Sequence, residues 1–176
     1  MWRIQGGHAL LAAAMFDLNK SPRKIYMYDT FEGMTYPSAS DTELKTGIKA
    51  RDYFNESSDN SWCAASVEEV TNNFLRMNLL SKEIIFIKGD VDITLRNHMN
   101  LPNKIAILRL DTDWYSSTKT ELETLYPKLV QSGILIIDDY GWWSGSRAAT
   151  DEFFKNRKPF MSYIDQGARI LVKNTL

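Results

Sequence analysis

The stretch "KIAILRLDTDWYSS" at residues 104–117 decides the fold class, because an apolar run ends there in two carboxylates, Asp111 and Asp113. A second apolar run, "GILIIDD" at 133–139, ends in Asp138 and Asp139. Runs that are apolar throughout are typical of parallel strands buried on both faces. Carboxylates gathered at the ends of two such strands repel one another unless something positive lies between them.

Outward from this stretch, predicted strands alternate with predicted helices. The apolar runs and helical spacings place these elements as follows: strands at 23–29, 83–90, 104–111 and 133–139, and helices at 7–19, 66–80, 118–130 and 146–157. The end of the chain predicts an antiparallel hairpin that turns at Gln166-Gly167. The alternation indicates an α/β fold with a mainly parallel sheet and helices on both faces.

The segment 34–65 interrupts this alternation. It is polar and carries Pro37, Gly47 and many Ser, Asp and Asn residues, so we expect a long loop or a lid inserted into the fold. With 176 residues, the chain is expected to form a single domain over 1–176 with a proper core.

Composition narrows the function classes. The net charge of −1 gives no general attraction to nucleic acid or to anionic membranes. The single cysteine, Cys63, excludes a disulfide framework and a cysteine-based zinc site. The apolar stretch Ala9 to Phe16 is followed by Asp17 and predicts a helix rather than a secretory signal. No apolar run is long enough for a membrane span. We therefore expect a cytoplasmic protein.

Carboxylates follow every one of the predicted parallel strands. They are Asp29, Asp90, Asp111, Asp138 and Asp139. Taken singly, each would more often be a helix cap or a turn residue. In open parallel sheets, however, ligands bind outside the carboxyl ends of the strands, so five carboxylates on one rim indicate a binding site.

Several longer stretches resemble the macrocin O-methyltransferase family. They are "MWRIQGG", "YMYDTFEGM", "ILRLDTDWYSSTKTELETLYPKL", "GILIIDDYG" and "SRAATDEF". The resemblance covers nearly the whole chain. It implies the Rossmann-like class I methyltransferase fold and an enzyme that uses S-adenosylmethionine and Mg²⁺ to methylate a hydroxyl, most often that of a sugar, on a small molecule.

The resemblance also implies roles for individual residues. Gly6 and Gly7 would approach the methionine part of the cofactor, and Asp29, followed by Thr30, would bind the ribose hydroxyls. Asp90 would lie near the adenine, with a helix cap as the alternative. The implied metal ligands are Asp111, Asp138 and Asp139, and Asp111 is also the implied general base.

Elementary chemistry agrees with these roles. One carboxylate at a strand end can accept hydrogen bonds from both hydroxyls of a ribose. Oxygen ligands suit Mg²⁺, and a hydroxyl bound to that ion becomes more acidic. A cation bound among the carboxylates would thus offset their mutual repulsion at the two strand ends.

The start of the chain departs from the family pattern. Family members have a complete strand before the glycine turn, whereas here only Met1 to Ile4 precede "QGG". We therefore expect the first strand of the sheet to be missing. Unpaired strand edges are costly, so residues 1–176 alone are expected to be poorly stable and to bind S-adenosylmethionine weakly.

Two other functions stay open at this point. An Asp-x-Asp pair after an apolar strand also occurs in metal-dependent glycosyltransferases, although these do not need Asp138 and Asp139. A truncated domain without activity is the other alternative. The turn "WRIQGGH" lacks the glycine pattern of nicotinamide-binding enzymes. The expected partner is a small-molecule hydroxyl substrate, with no nucleic acid or membrane, and homo-oligomer formation is left open.

Overall fold

A computed structural model describes residues 6–56 and 62–174 of the chain. These residues form two compact units, which are described here one at a time. The first contains the described residues of 1–35 and 57–90, and the second contains 36–56 and the described residues of 91–176. The single domain over 1–176 stays a prediction.

The helices and strands follow the alternation that the sequence predicts. The helices are α1 (Gly7–Leu18), α2 (Ala50–Glu56), α3 (Val67–Arg76), α4 (Val91–Thr94), α5 (Tyr115–Leu125) and α6 (Ser144–Phe153), with 3₁₀ turns at His98–Asn100 and Tyr126–Lys128. The strands are β1 (Ile25–Asp29), β2 (Ile84–Lys88), β3 (Ile105–Leu110), β4 (Leu129–Ile137), β5 (Ser162–Tyr163) and β6 (Arg169–Val172). None of the helices in the described residues is both long and apolar enough to span a membrane.

The first unit is built on a parallel pair of strands. β1 and β2 run in register from Ile25 opposite Ile84 to Asp29 opposite Lys88. Helix α3 begins with the predicted capping box: the Ser66 hydroxyl accepts from the Glu69 amide at 3.1 Å, and the Glu69 carboxylate accepts from the Ser66 amide at 2.7 Å. The buried core of this unit consists of Ala13, Phe31, Val70 and Phe74.

The second unit contains a four-stranded mixed sheet in the order β3-β4-β6-β5. β3 and β4 are parallel, and β6 pairs antiparallel with both β4 and β5. The predicted C-terminal hairpin is confirmed. Its turn is held by the Asp165 carboxylate, which accepts from the amides of Gly167 at 2.9 Å and Ala168 at 2.7 Å.

Several predicted boundaries were wrong: α3 ends at Arg76 rather than at 80, α6 ends at Phe153 rather than at 157, and the boundary between α5 and β4 is shifted. Helix α5 ends at Leu125, and β4 begins at Leu129, four residues before the predicted strand start at Gly133. Pro127 lies in the 3₁₀ turn between them, where its missing amide donor costs nothing. The Lys173 ammonium stabilises this turn by donating to the Leu129 carbonyl oxygen at 2.7 Å, a contact distant in sequence.

The predicted loop at 34–65 needs a larger correction. Its residues 50–56 form helix α2, and Ala50 is fully buried. Thr42 and Lys49 form an antiparallel bridge within the same segment. The polar composition misled because one of its polar residues, Asp41, is fully buried and belongs to the interior of the segment. A lid function for 34–65 stays a prediction.

The expected absence of a first strand concerns residues 1–5, which lie outside the described residues. Among the described strands, β1 pairs only with β2, and β3 pairs only with β4. The sequence predicted one sheet, whereas the described strands form two hydrogen-bonded groups.

Candidate functional site

The carboxylates of 104–139 gather at one end of the β3–β4 pair. Leu110 lies opposite Ile137 in the parallel register, and the Asp138 amide donates to the Leu110 carbonyl oxygen at 3.0 Å. Both strands therefore end together. We call this edge the β3–β4 rim and define it by four residues: Asp111, Asp113, Asp138 and Asp139.

Three of these residues could hold one cation. Asp111, Asp138 and Asp139 each offer a carboxylate oxygen, and these oxygens lie within 4.8 Å of one another. Asp111 is exposed, Asp138 is half-buried, and Asp139 is 7% exposed. The structure thus brings the three predicted ligands together, although their role as ligands stays a prediction.

Arg109 is the cationic partner of this rim. Its guanidinium donates to Asp111 and lies 2.9 Å from a carboxylate oxygen of Asp138. Although burial lowers the pKa of Arg109, the two carboxylates outweigh that effect and raise it overall. An unpaired charge is costly inside an apolar strand, so an arginine at this position is expected to have a carboxylate partner. The ion pairs of Arg109 meet that expectation.

One guanidinium does not relieve the whole cluster. Burial, followed by repulsion from Asp111, raises the pKa of Asp138 to about 6 in spite of Arg109. Burial and the nearby charges of Asp113 and Asp111 also raise the pKa of Asp139 well above its ordinary value. The rim is therefore short of positive charge, and a divalent ion would supply it.

Asp113 lies in the same cluster through an unusual backbone. Its φ of +66° is in the left-handed region, which Asp tolerates better than most residues. Its amide faces an Asp139 carboxylate oxygen at 3.3 Å, and its own carboxylate accepts from the Trp143 indole at 2.9 Å. The sequence singled out Asp113 but assigned it no role. Trp143 in turn packs on Trp114, with ring centroids 5.1 Å apart.

Sequence reasoning missed Glu121 altogether. This side chain is buried in α5 and accepts from the Thr112 hydroxyl at 2.9 Å. Burial is the main cause that raises its pKa to about 8, and Asp111 adds to it. The signal was present: Thr118, Leu122 and Leu125 mark the buried face of the helix, and position 121 falls on it.

The predicted cofactor residues lie in the first unit, and three of them, Asp29, Thr30 and Asp90, lie at the carboxyl ends of β1 and β2. We call this edge the β1–β2 rim and define it by Asp29, Thr30, Gly89 and Asp90. Asp29 ends β1, and its carbonyl oxygen accepts from the Gly89 amide at 2.9 Å. This bond brings the two strand ends together, as in the β3–β4 rim.

Asp29 is exposed and shapes its own turn. Its carboxylate accepts from the Phe31 amide at 2.6 Å, while the hydroxyl of Thr30 donates to the Gly33 carbonyl oxygen. Asp90 lies directly before α4. This position suits the helix-cap alternative as well as the predicted adenine contact.

Gly6 and Gly7 form the predicted turn into α1. Gly6 has φ +79°, and a Cβ atom there would lie 2.8 Å from a methyl carbon of Val70. Glycine is therefore required both by the left-handed backbone and by the close approach of α3. Gly7 is the first residue of α1.

The sequence matches the profile of the family described as macrocin-O-methyltransferase (TylF) over residues 1–169. It is 31% identical over 141 residues to the 8-demethyl-8-(2,3-dimethoxy-alpha-L-rhamnosyl)-tetracenomycin-C 4'-O-methyltransferase of Streptomyces olivaceus, covering 80% of this chain and 50% of that protein. It is 30% identical over 158 residues to the demethyldecarbamoylnovobiocin O-methyltransferase of Streptomyces niveus, covering 87% of this chain and 55% of that protein. The chain spans about half the length of these curated relatives.

Solved structures support the fold. The O-methyltransferase NovP is similar with a TM-score of 0.81 and 26% identity, over 97% of this chain and 69% of that one. The calicheamicin methyltransferase CalS11 has a TM-score of 0.67 at 20% identity, over 95% of this chain and 68% of that one, which bears on the fold alone. The predicted Rossmann-like α/β fold of class I methyltransferases is thus confirmed. With its match over residues 1–169, the chain belongs to the macrocin O-methyltransferase family.

Proposed function

We propose that this chain carries out S-adenosylmethionine- and Mg²⁺-dependent O-methylation of a hydroxyl on a sugar or on a glycosylated small molecule. The observation that carries the proposal is the convergence of Asp111, Asp138 and Asp139 at the end of β3 and β4, with carboxylate oxygens within 4.8 Å of one another. The family supports the reaction class.

The donor set fits a hard divalent cation. Carboxylate oxygens are the ligands that Mg²⁺ prefers, and three of them leave positions for water or substrate oxygens. Asp139 is buried and Asp138 half-buried, so both are costly to ionise without a cation. Arg109 would remain bound to Asp111 and Asp138 and would orient them.

When bound, the metal would make the acceptor hydroxyl more acidic, and the cofactor would supply a methyl group on a positively charged sulfur. With Asp29 and Thr30 holding the cofactor, its methyl carbon would bond to the hydroxyl oxygen as the carbon–sulfur bond breaks, and the electron pair of that bond would stay on sulfur. The hydroxyl proton must go to a base of this chain.

Two carboxylates compete for the role of base. Asp111 is the predicted one, but Arg109 already binds it and a metal would bind it too, which makes it a weak proton acceptor. Asp113 belongs to the same rim and contacts the Trp143 indole and the Asp139 carboxylate. If Asp111 is the base, Asp113→Asn will retain transfer at saturating Mg²⁺, whereas loss of transfer with unchanged metal affinity would assign the base to Asp113.

The cofactor is proposed to bind the β1–β2 rim. Asp29 would accept from the ribose hydroxyls, Thr30 would lie beside it, and Asp90 would approach the adenine. The Gly6-Gly7 turn would approach the methionine part of the cofactor with its backbone.

The acceptor is proposed from the relatives. Their names describe transfer to a rhamnosyl-bearing tetracenomycin and to mycinamicin III, the latter by an enzyme of Micromonospora griseorubida. For this chain a sugar hydroxyl is the corresponding acceptor. A cytoplasmic location, homo-oligomer formation and the absence of nucleic-acid and membrane partners stay predictions.

Equilibrium binding tests the proposal against its alternatives. S-adenosylmethionine should bind, while UDP-sugar and NAD should not, and methyl transfer to a glycosylated acceptor should stop on addition of EDTA and return with excess Mg²⁺. Binding of UDP-sugar alone would favour the Asp-x-Asp glycosyltransferase, which family membership disfavours. Binding of none of the three ligands would favour the domain without activity.

A further inference from the structure

We propose that Asp41 is a positioning residue that holds the two acidic loops of the β3–β4 rim at a fixed separation. The inference rests on the proposed function, because it concerns the same carboxylates. The loops are 111–114, between β3 and α5, and 138–143, between β4 and α6. Asp41 belongs to neither loop and contacts the start of both following helices.

Asp41 is a fully buried carboxylate that accepts from three donors. One oxygen accepts from the Ser38 amide at 2.7 Å and from the Ser38 hydroxyl at 2.5 Å. The other oxygen accepts from the amide of Tyr115 at 3.0 Å. Tyr115 is the first residue of α5, and Trp114 before it gives the helix no side-chain cap. Asp41 therefore caps α5 from a distant part of the chain.

The same carboxylate lies against the start of α6. A Cβ atom on Gly145 would lie 1.8 Å from the Asp41 oxygen and 2.8 Å from the Tyr115 nitrogen. Only a glycine at this position lets the carboxylate reach the amide of Tyr115. Trp143, the residue before α6, also provides no side-chain cap. One negative charge thus lies at the positive ends of both helices, where it is favourable.

The residues that follow Asp41 hydrogen-bond to the second loop and to the first residue of α6. The Ser144 amide donates to the Thr42 carbonyl oxygen at 2.9 Å, and the Thr42 amide donates to the Ser144 hydroxyl at 2.9 Å. The Leu44 amide donates to the Trp142 carbonyl oxygen at 2.8 Å. Residues 41–44 therefore bind the second acidic loop directly, while Asp41 binds the helix that follows the first.

A metal site needs this kind of support. Ligand oxygens bind a cation tightly only when groups behind them fix their geometry, and removal of such a group typically weakens binding 10- to 100-fold. Repulsion among the rim carboxylates would drive the two loops apart in the absence of metal. Asp41 opposes that separation through the amide of Tyr115 and its close approach to Gly145, while Thr42 and Leu44 bind Ser144 and Trp142.

The test uses residues 1–176 with Mn²⁺ as the probe, its affinity measured by titration calorimetry and by electron paramagnetic resonance well below the unfolding temperature. Asp41→Asn keeps the shape but removes the charge, and Gly145→Ala displaces the carboxylate without removing it. Both should weaken Mn²⁺ binding about tenfold. Asp52→Asn is the matched control, because Asp52 is an exposed carboxylate on α2 of the same segment and does not belong to residues 41–44. It should change the affinity less than twofold.

A lower unfolding temperature with unchanged Mn²⁺ affinity in both folded variants would overturn the positioning role, since a merely structural residue behaves that way. Hydrogen exchange gives a readout that needs no metal: in Asp41→Asn the amides of 111–115 and 138–145 should exchange faster together. If the unsubstituted chain bound no Mn²⁺, the proposed metal site would fail. Exchange would then decide the positioning separately, with faster exchange in both loops supporting it and unchanged exchange refuting it.

Discussion

The β1–β2 rim and the β3–β4 rim carry the same sequence signal and have different chemistry. In both, a carboxylate lies at the carboxyl end of a parallel strand. Asp29 is exposed, lies beside a hydroxyl side chain and bonds its own turn. Asp139 is buried among other carboxylates, with a raised pKa.

The difference teaches what each rim can bind. An exposed carboxylate such as Asp29 can accept hydrogen bonds from neutral hydroxyls, and this does not require several charged groups to be desolvated together. A cluster of several carboxylates that contains one guanidinium favours the binding of a further cation. A strand-end aspartate therefore indicates a site, while the neighbours that the fold supplies decide whether it binds a diol or a metal.

The largest expected effect is at the buried end of the β3–β4 rim. Asp139→Asn should lower Mg²⁺-dependent methyl transfer about a thousandfold, which corresponds to roughly 4 kcal/mol, because a metal ligand is lost. S-adenosylmethionine affinity should change little. Asp151→Asn is the control, since that exposed carboxylate accepts from the Tyr140 hydroxyl and is not a member of the β3–β4 rim. Full transfer by Asp139→Asn in EDTA would refute the metal site.

The second prediction concerns the pH dependence of stability. Because the pKa of Glu121 is about 8 in the folded chain and ordinarily 4.5, the folded chain holds this proton more tightly than the unfolded chain does. The stabilisation is complete below pH 4.5 and is lost as the pH rises towards 8. Between pH 5 and 8, unsubstituted protein should lose roughly 2–4 kcal/mol relative to Glu121→Gln.

Denaturant unfolding in EDTA at several pH values measures this difference. Glu123→Gln is the matched control, because Glu123 lies on the same helix with an exposed side chain. It should unfold in parallel with the unsubstituted chain. Parallel curves for Glu121→Gln as well would mean that the buried carboxyl group does not titrate in this range.

The third prediction probes the β1–β2 rim. Asp29→Asn keeps the acceptor for the Phe31 amide but loses the charge that would bind the ribose hydroxyls. S-adenosylmethionine affinity should fall 10- to 30-fold, about 2 kcal/mol, while Mn²⁺ affinity stays unchanged. Glu32→Gln serves as the control, since Glu32 is an exposed carboxylate paired with Lys88. Equal losses in both variants would remove Asp29 from the cofactor site.

The smallest expected effect is on stability alone. Ser66→Ala removes the cap of α3, which supplies Val70 and Phe74 to the core of the first unit, and should cost about 1 kcal/mol. Thermal unfolding measures the loss. Mn²⁺ affinity at a temperature where the variant is folded should not change. A parallel loss of Mn²⁺ affinity would show that the two rims are energetically coupled.

Local patterns predicted the α/β class, the C-terminal hairpin and the capping box of α3, because each depends on residues close in sequence. The convergence of Asp111 with Asp138 and Asp139 was also predictable, since parallel strands end at the same edge. The segment 36–56 was not. Its buried Asp41 depends on Tyr115 and Gly145, which lie 74 or more residues away from it.

By itself, the sequence determined which strand ends carry carboxylates, the charge balance of the chain and the family to which it belongs. The tertiary structure alone decided how those carboxylates differ. Burial of Asp139 and Glu121, the guanidinium between Asp111 and Asp138, and the carboxylate of Asp41 at two helix starts all arise from contacts between distant segments. Ionisation depends on the solvent exposure and charges around a group, and only the folded chain fixes those surroundings.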